Sequence, residues 1–423
     1  MTIQPFKRIS VIGLGYIGLP TAAMFASRKV EVIGVDVNSR TVDTINRGGI
    51  HIVEPDLDMI VHASVHEGYL RATLEPEPAE AFLIAVPTPF KGDDHEPDLH
   101  YIESAAKTIA PVLCAGNLVV LESTSPVGAT EAMAGWLAQA RPDLSFPQDA
   151  GETSDIRIAH CPERVLPGKV MQELISNDRV IGGMTRRCSE RAAELYGTFV
   201  TGECVIATGP RVAEMAKLTE NSFRDVNIAF ANELSMICDR LDMDVWELIR
   251  LANRHPRVNI LQPGPGVGGH CIAVDPWFIV ASAPAEARLI AMAREVNDAK
   301  PGWVLEKVRA AIGAHLSQNP DRTAREVTVA IYGLAFKPDI DDLRESPALD
   351  IARRIAAEHV GPLRIVEPNV TTLPEGLGAG VLCDLTEIRA EVHVMLVDHK
   401  DFKNAPRPDG QIVDARGVWK DAH

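Results

Sequence analysis

The chain has 423 residues, more than a single hydrophobic core usually accommodates, so two or three domains are expected. A hydrophobic content of 46% and a charged content of 24% are typical of a soluble globular protein. The formal net charge of −16 argues against nucleic acid or an anionic membrane as the main partner. An anionic ligand would then have to bind through local cations or helix N-termini.

The apolar segment 9–19 is interrupted by glycines, and no small-residue cleavage site follows it, so it is a poor signal peptide. No run of about eighteen apolar residues suggests a membrane span. The seven cysteines are scattered, and no pair has the spacing of metal ligands. We therefore expect a protein of the reducing cytoplasm without a bound metal. All cysteines except Cys271 are interpreted as small buried hydrophobic residues.

The N-terminal half alternates strand and helix patterns, which predicts right-handed crossovers and a doubly wound parallel sheet. The predicted strands cover residues 8–13, 30–36, 81–86, 118–122, 157–160 and 180–182, and the predicted helices include residues 20–27, 99–112 and 130–139.

From about Pro210, apolar residues recur at helical spacing over roughly thirty residues. This long helix and two further helical segments, 245–253 and 285–298, predict an all-helical middle region. Strand and helix patterns then resume, which predicts a second, smaller α/β domain. Its predicted elements are strands at 327–332, 363–366, 392–397 and 411–414 and a helix at 347–358 capped by Ser346.

A glycine fingerprint joins the first predicted strand to the first helix, and its candidate cofactor residues are Gly13, Gly15, Tyr16, Ile17 and Gly18. The three glycines permit a tight turn, close approach of a pyrophosphate, and close packing of helix on strand. Asp36 ends the next strand, where its carboxylate would bind ribose hydroxyls and repel a 2′-phosphate. The pattern favours NAD over NADP, and the alternative is that the glycines serve the turn alone.

Two further threonines follow strands whose ends meet at the same edge of the sheet. Thr88 follows the strand at 81–86, and Thr124 follows the strand at 118–122. Their hydroxyls are candidates to contact the ribose, the nicotinamide or a catalytic water. Turn formation and helix capping remain equally open.

Cys271 emerges from a segment with four glycines in six residues, 264–269, and Asp275 follows four residues later. Such a backbone can wrap closely around a ligand, and a cysteine there suits a nucleophile. With NAD present, a thiolate can trap an aldehyde as a thiohemiacetal, whose oxidation gives a thioester that water hydrolyses. A structural or redox-sensing role for Cys271 is the alternative.

Lys217, Asn221 and Arg224 lie at i, i+4 and i+7 on the long helix and therefore share one face. The stripe is compatible with an ordinary solvated surface. Alternatively, Lys217 acts as proton acceptor or stabilises an alkoxide, and Asn221 holds an oxyanion or the catalytic water.

These motifs, in this order, resemble those of the UDP-glucose/GDP-mannose dehydrogenase family over essentially the whole chain. The matching segments are the glycine fingerprint and residues 123–128, 161–164, 213–223, 268–271 and 333–347. The resemblance implies a Rossmann-type NAD domain at 1–209, a helical dimerisation and substrate region at 210–316, and a Rossmann-like UDP-sugar domain at 317–423. It also implies that two NAD are consumed per sugar.

The resemblance also assigns roles to single residues. Cys271 would be the nucleophile and Lys217 the proton acceptor or donor. The other implied residues are Asn221, Thr124, Glu163 and Asp275 as catalytic supports, Arg344 at the cofactor pyrophosphate, Phe336 and Lys337 on the UDP-sugar, and His255 and Arg257 on the substrate, with Arg257 offered by a neighbouring subunit.

Two positions depart from the UDP-glucose branch, which usually has Lys at the position of Val274 and Glu at the position of Pro167. The resemblance favours a UDP-hexosamine, UDP-N-acetyl-D-mannosamine, whose oxidised product feeds bacterial surface polysaccharide synthesis. In that branch the pocket would be lined by Arg164, Val165, Arg224, Gly268 and Arg416.

Three alternatives remain. The first is the same oxidation of UDP-N-acetylglucosamine or UDP-glucose. The second is a one-step hydroxyacid-type dehydrogenase, which leaves Cys271 and the C-terminal domain without a role. The third is a non-catalytic NAD-binding sensor or assembly subunit, which has no use for the combination of Lys217, Asn221, Cys271 and Asp275.

Overall fold

The computed structural model describes residues 6–52, 54–92, 95–166, 168–269 and 271–419, so Pro167 lies outside the described residues. The chain divides into two compact units. The first contains Met1–Glu220 and Ala281–Ala283, and the second contains Asn221–Val280 and Pro284–His423.

The first unit is an α/β domain. Its strands in the described residues are β1 (Arg8–Ile12), β2 (Glu31–Val35), β3 (Leu70–Thr73), β4 (Ala81–Ile84), β5 (Phe90–Lys91), β6 (Glu96–Pro97), β7 (Leu118–Leu121), β8 (Arg157–His160), β9 (Arg179–Gly183) and β10 (Cys204–Ile206). Its helices are α1 (Gly18–Ser27), α2 (Ser39–Asn46), α3 (Leu57–His66), α4 (His100–Ile109), α5 (Ala129–Ala140), α6 (Pro147–Ala150), α7 (Val170–Ser176) and α8 (Arg186–Tyr196).

Eight of these strands form one sheet in the order β10-β9-β8-β7-β4-β1-β2-β3, while β5 and β6 form a separate hairpin. The predicted doubly wound fold is confirmed. Successive side chains of each strand enter apolar layers on opposite faces of the sheet, as Leu83 and Phe82 do on β4. Because both faces of the sheet are buried, the sequences of the strands are nearly continuous runs of apolar residues.

One strand pair departs from the all-parallel prediction, because β8 and β9 are antiparallel. The connection between them contains one described α-helix, α7, which has seven residues and is about 10 Å long. The connection therefore does not carry the chain back across the sheet, and β9 starts at the edge where β8 ends. The prediction of a fully parallel sheet was wrong at this pair.

The long predicted helix is confirmed as α9 (Pro210–Arg240), which contains the division between the two units. The remaining α-helices in the described residues are α10 (Val245–Ala252), α11 (Asp275–Ser282), α12 (Arg288–Gln318), α13 (Pro347–Glu358) and α14 (Lys400–Lys403). The remaining strands are β11 (Val329–Tyr332), β12 (Leu363–Val366), β13 (Val381–Leu382), β14 (Val392–Met395) and β15 (Gln411–Asp414).

The helix predicted at 285–298 continues twenty residues further than expected, because α12 ends at Gln318 and contains Pro301 in its interior. Proline removes one helical hydrogen bond and crowds the preceding turn. Burial of Val304, Leu305 and Val308 in the core of the second unit offsets that cost. Local proline chemistry was therefore overridden by packing.

The second unit contains a five-stranded parallel sheet in the order β13-β12-β11-β14-β15. As predicted, α13 begins at Pro347, and the Ser346 hydroxyl accepts the N–H of Leu349 at 3.3 Å. This α/β arrangement confirms the second Rossmann-like domain.

The cysteine prediction was wrong at Cys114, which is exposed in a turn where its N–H donates to Asn117 Oδ1 at 2.7 Å. Cys161, Cys188 and Cys238 are buried as predicted, whereas Cys204 and Cys383 are only half-buried. Among the described residues, no helix has the length and apolar character that a membrane span requires. The same residues contain no group of three or more His, Cys, Asp or Glu side chains placed to hold a metal ion.

Candidate active site

The glycine fingerprint forms the turn between β1 and α1, and its geometry requires glycine at two positions. Gly13 has a φ of +91°, and a Cβ there would lie 2.6 Å from the Ala85 oxygen. A Cβ on Gly18 would overlap the Gly13 oxygen. By contrast, Gly15 is exposed and a Cβ there would meet nothing within 4 Å, which leaves its backbone open to a ligand.

Asp36 directly follows β2 and is half-buried. Its Oδ2 accepts the N–H of Leu14 at 3.0 Å, and its Oδ1 accepts the N–H of Asn38 at 2.8 Å. Each carboxylate oxygen keeps a second lone pair that can accept a ribose hydroxyl. Tyr16 and Ile17 lie in the turn between β1 and α1, immediately before α1. These residues fit the ribose and pyrophosphate of a dinucleotide.

Thr88 and Thr124 lie on neighbouring loops of the first unit, and both are half-buried. The Thr88 hydroxyl donates to the Thr124 carbonyl oxygen. The structure therefore brings the two threonines together, as expected from the strand ends. It gives the Thr88 hydroxyl a role in joining the two loops.

Glu163 follows β8 and is 6% exposed. Its Oε1 accepts the N–H of Arg164 at 2.6 Å, and its Oε2 accepts Nη1–H of Arg179 at 2.7 Å. The same Arg179 nitrogen lies 3.9 Å from Oε1 of Glu122, which also accepts the Tyr196 hydroxyl at 3.1 Å. We call Glu122, Glu163, Arg179 and Tyr196 the buried ionic cluster.

Burial raises the pKa of Glu122 to about 8, although the Arg179 charge acts in the opposite direction. Burial also raises the pKa of the Cys161 thiol, which makes this cysteine a poor nucleophile. Sequence reasoning missed Arg179 and Tyr196, whose positions in β9 and α8 carry no local motif.

Arg164 extends from this region along the surface of the first unit. Its Nη2 lies 2.6 Å from Oε1 of Glu220, and its Nη1 donates to the Asp178 carbonyl at 3.3 Å. The Arg164 side chain remains 30% exposed, and Val165 is half-buried. The arginine is therefore held in place while part of its guanidinium faces solvent.

Lys217 lies on α9 and is 9% exposed. One turn earlier, the buried carboxylate of Glu214 accepts the N–H of Gly128 at 2.7 Å and the N–H of Thr130 at 2.8 Å. Burial raises the pKa of Glu214. This carboxylate ties α9 to the start of α5, which follows the loop containing Thr124. Sequence reasoning missed Glu214 because its partners are 84 and 86 residues away.

Cys271 belongs to the second unit and is exposed. Its carbonyl accepts the N–H of Val274 at 3.1 Å and the N–H of Asp275 at 2.9 Å, which forms the turn that leads into α11. Asp275 is 3% exposed, and its Oδ2 accepts Nδ2–H of Asn221 at 2.5 Å. The structure therefore brings Asn221, Cys271 and Asp275 together.

The glycines before Cys271 pack tightly against residues of the C-terminal domain. A Cβ on Gly268 would overlap the Glu345 carbonyl oxygen and lie 2.5 Å from Pro347 Cδ. A Cβ on Gly269, which has a φ of +82°, would lie 3.1 Å from the Phe336 ring. Glycine is thus required at both positions. Phe336 packs against the glycine-rich segment that contains Gly268.

Arg416 contacts the start of this segment. Its Nη1 donates to the Pro263 carbonyl at 3.4 Å and lies 2.8 Å from the position of a Cβ on Gly264. Its Nε donates to Asp398 Oδ1 at 2.8 Å. Although burial opposes it, the Arg416 charge holds the pKa of Asp398 below its usual value. The predicted basic residue at 416 is therefore anchored against the glycine-rich segment.

The other candidates in the second unit lie on loops or exposed faces. Lys337 is half-buried, and Arg224, His255 and Arg257 are exposed. The Arg344 guanidinium pairs with Asp342 through a 2.6 Å contact.

The sequence matches three successive domains of the UDP-glucose/GDP-mannose dehydrogenase family. The NAD binding domain matches residues 7–200, the central domain matches 211–299, and the UDP binding domain matches 330–421. The chain belongs to this family. Membership establishes NAD as the cofactor and the NAD-dependent oxidation of a nucleotide sugar as the class of reaction.

Individual relatives are similar over nearly their whole length. The chain is 68% identical to a UDP-N-acetyl-D-mannosamine dehydrogenase from Yersinia pestis, covering 98% of this chain and 100% of the relative. It is 62% identical to an NDP-N-acetyl-D-galactosaminuronic acid dehydrogenase from Ralstonia nicotianae, covering 98% and 96%. The solved structure of a UDP-D-ManNAc dehydrogenase from Pyrococcus horikoshii has a TM-score of 0.85 at 37% identity, covering 98% and 96%.

Proposed function

We propose that this enzyme oxidises the C6 alcohol of UDP-N-acetyl-D-mannosamine to the carboxylate of UDP-N-acetyl-D-mannosaminuronate. The observation that carries the proposal is the 68% identity to a UDP-N-acetyl-D-mannosamine dehydrogenase over all of that relative's length. The exposed Cys271 beside Asp275 and Asn221 supplies the chemistry of a four-electron oxidation.

The reaction balances as two oxidations and one hydrolysis. NAD, when bound, accepts the hydride released in each oxidation. Loss of a hydride from C6 and a proton from its hydroxyl gives an aldehyde. The Cys271 thiolate adds to the carbonyl carbon of the aldehyde, which forms a thiohemiacetal on protonation. Loss of a second hydride and proton leaves a thioester. Water then adds to the thioester carbon, and the thiolate leaves as the acid forms.

The proposed roles are those that the family resemblance implies for each group. Lys217 accepts the proton of the C6 hydroxyl, and Cys271 is the nucleophile. The amide of Asn221, oriented by Asp275, stabilises the oxyanion of the tetrahedral intermediates. Thr124, Glu163 and Asp275 support the water that hydrolyses the thioester.

The proposed nucleotide-sugar contacts come from all three predicted domains, and most of them lie in the central region, 210–316. They are Arg164, Val165, Lys217, Asn221, Arg224, His255, Arg257, Gly268, Phe336, Lys337 and Arg416. Arg344 is proposed to bind the cofactor pyrophosphate. The corresponding domain ranges are 1–209, 210–316 and 317–423.

A nucleotide-linked N-acetylgalactosamine is the second candidate substrate, because the 62% identical relative is named for that sugar's uronic acid.

The number of NADH molecules formed per sugar distinguishes the candidate substrates. Purified enzyme with excess NAD is given limiting amounts of UDP-N-acetyl-D-mannosamine, UDP-N-acetylgalactosamine, UDP-N-acetylglucosamine or UDP-glucose. We expect two NADH per mannosamine sugar and little from the others. Two NADH from another sugar would overturn the substrate, and one NADH would overturn the double oxidation.

Replacing Asp36 with asparagine is expected to weaken NAD binding about tenfold and to narrow the preference over NADP. Asparagine keeps one oxygen for the N–H of either Leu14 or Asn38 but removes the charge that binds ribose and repels a 2′-phosphate. Dissociation constants for both cofactors, measured by calorimetry, check this. Asp43→Asn, at an exposed position on α2, is the matched control for net charge. If the ratio of the dissociation constants for NAD and NADP is unchanged in Asp36→Asn, Asp36 is not the ribose ligand.

We also propose that the enzyme is a homodimer formed through α9. Phe223, Phe230 and Ile237 recur at seven-residue intervals and are 68%, 53% and 42% exposed. An apolar seam of this kind is typical of helix–helix association. Arg257, on an exposed loop closed by the Asn253 side chain, is proposed to act in the neighbouring subunit's site.

Phe230→Glu is expected to convert the dimer to monomer, because it places a charge in the centre of the apolar seam. Sedimentation velocity at about micromolar concentration distinguishes the two species. Val360→Glu introduces the same charge at a residue that is 63% exposed elsewhere, and this variant should remain dimeric. A Phe230→Glu variant that sediments like the wild type would show that α9 is not the interface.

The product class suggests a place in bacterial surface polysaccharide synthesis, where uronic acids are transferred from nucleotide carriers. A cytoplasmic location is proposed because the reaction needs Cys271 as a free thiol, which a reducing compartment maintains.

A further inference from the structure

Residues 333–339, here called the 333–339 loop, follow β11 and carry two of the proposed nucleotide-sugar contacts. The start of the loop is fixed by Glu367, which directly follows β12 and is 3% exposed. Its Oε2 accepts the N–H of Leu334 at 2.7 Å and the N–H of Ala335 at 3.2 Å. One buried carboxylate therefore fixes the first turn of the loop.

The end of the loop is fixed by His399, which is 1% exposed. Nδ1 of His399 accepts the N–H of Asp339 at 2.9 Å, and Nε2 lies 3.1 Å from Oε2 of Glu367. Because Nδ1 is an acceptor, the ring proton is on Nε2 and is donated to Glu367. The two ends of the loop are thus joined through a buried carboxylate–imidazole pair.

Three further observations show how strongly this conformation is specified. Asp339 has a φ of +61°, a left-handed conformation that is unfavourable for a residue other than glycine. The N–H of Lys400, next to His399, donates to Oδ1 of Asp339 at 3.1 Å. Asn369 donates to Oε1 of Glu367 through its backbone N–H at 3.1 Å and its side chain at 3.2 Å.

A buried pair of this kind is a weak source of stability, because desolvating the carboxylate offsets most of the attraction. Neither Glu367 nor His399 has a role in the proposed chemistry. What their hydrogen bonds do determine is the path of the 333–339 loop. The pair is therefore better explained by conformational specificity than by stability.

We propose that Glu367 and His399 are positioning residues that hold the 333–339 loop in the conformation that presents Phe336 and Lys337 to the UDP portion of the substrate. The Phe336 ring also packs against Gly269, so displacement of the loop would disturb the glycine-rich segment. This inference rests on the proposed function, which places the nucleotide sugar on these two side chains.

His399→Ala is expected to weaken UDP binding to the full-length enzyme at least about tenfold, measured by calorimetry with UDP alone. The KM for UDP-N-acetyl-D-mannosamine should rise similarly, while kcat stays within about threefold and the KM for NAD is unchanged. Amide hydrogen exchange should accelerate in peptides covering the 333–339 loop, because the N–H of Asp339 loses its acceptor.

His393 provides the matched control within the same domain. It is 2% exposed, its Nδ1 lies 2.8 Å from the Tyr332 hydroxyl, and its Nε2 lies 3.0 Å from the Ala390 carbonyl. His393→Ala therefore removes a buried imidazole that has no bond to the loop, and it should leave UDP binding within about twofold. His399→Asn keeps an acceptor near the Nδ1 position and should recover part of the lost affinity.

The outcomes separate the inference from the proposed function. If His399→Ala changes neither the affinity for UDP nor the amide hydrogen exchange of the 333–339 loop, the positioning role is wrong. It is also wrong if His399→Ala and His393→Ala lose the same affinity for UDP. If Phe336→Ala and Lys337→Ala leave UDP binding unaltered, the proposed nucleotide-sugar site is wrong. Accelerated exchange in His399→Ala would still support control of the loop in that case.

Discussion

Replacing Cys271 with serine is expected to reduce formation of the uronic acid by at least about 10³-fold and to limit NADH to at most one per sugar. Cys271 is exposed and lies in the turn that leads into α11, whose first residue, Asp275, accepts a hydrogen bond from Asn221. A serine hydroxyl in the same place stays protonated and cannot form a comparable adduct with the aldehyde. Product analysis by mass spectrometry, with NADH counted by absorbance, measures both effects.

Cys114→Ser is the matched control, because Cys114 is the other cysteine among the described residues that is exposed. It lies in the first unit in the turn before β7, so its replacement should leave acid formation within about twofold. Wild-type quantities of acid and two NADH per sugar from Cys271→Ser would exclude the covalent mechanism. The same loss in both variants would indicate a general sensitivity to thiol replacement.

The parts of the site that the sequence predicts are those whose geometry is local. Gly13 and Gly18 are required by a single turn, and a strand followed by a helix is visible on either side of them. Cys271 and Asp275 are four residues apart, and the Cys271 carbonyl accepts the Asp275 N–H in the turn that starts α11. A short segment contains all the information needed to place such groups.

The parts that the sequence does not predict depend on distant partners. Tyr196 reaches Glu122 across 74 residues, and Glu214 reaches Thr130 across 84. A tyrosine on an amphipathic helix or a glutamate on a long one has no local feature that reveals a buried partner. The sheet order places the ends of β7 and β8 beside the start of β9, and this brings Glu122, Glu163 and Arg179 together.

The length of α12 shows that secondary structure, too, can depend on contacts that the local sequence does not reveal. Pro301 predicts the end of a helix by local chemistry, yet the helix continues through it because its following turns are buried. The short connection through α7 leaves β8 and β9 antiparallel, which strand–helix alternation cannot distinguish from a parallel pair. Sequence patterns thus predict element types better than they predict where elements end or which way they run.

Arg179→Met is expected to lower the free energy of unfolding by about 3–5 kcal/mol at pH 7.5. The Arg179 side chain is 2% exposed and donates to Glu163 at 2.7 Å, and it is the cation nearest to Glu122 in the buried ionic cluster. Methionine fills similar space but leaves two buried carboxyl groups without an opposite charge. Urea unfolding followed by circular dichroism gives the difference in free energy.

The free energy of unfolding that Arg179→Met loses relative to the wild type is expected to grow as the pH rises from about 5 to 8. Burial raises the pKa of Glu122 to about 8 despite Arg179, whereas an unshifted glutamate has a pKa of 4.5. A group with a raised pKa in the folded state stabilises it at low pH, and that contribution is lost as the pH rises through this range. Without Arg179 the folded state also loses the cation that pairs with the Glu163 carboxylate, so a second buried carboxyl group must take up a proton and the stability falls more steeply with pH. Arg179→Lys keeps the charge and should retain the wild-type slope. A deficit in Arg179→Met that stays constant from pH 5 to 8 would show that Arg179 contributes packing rather than charge.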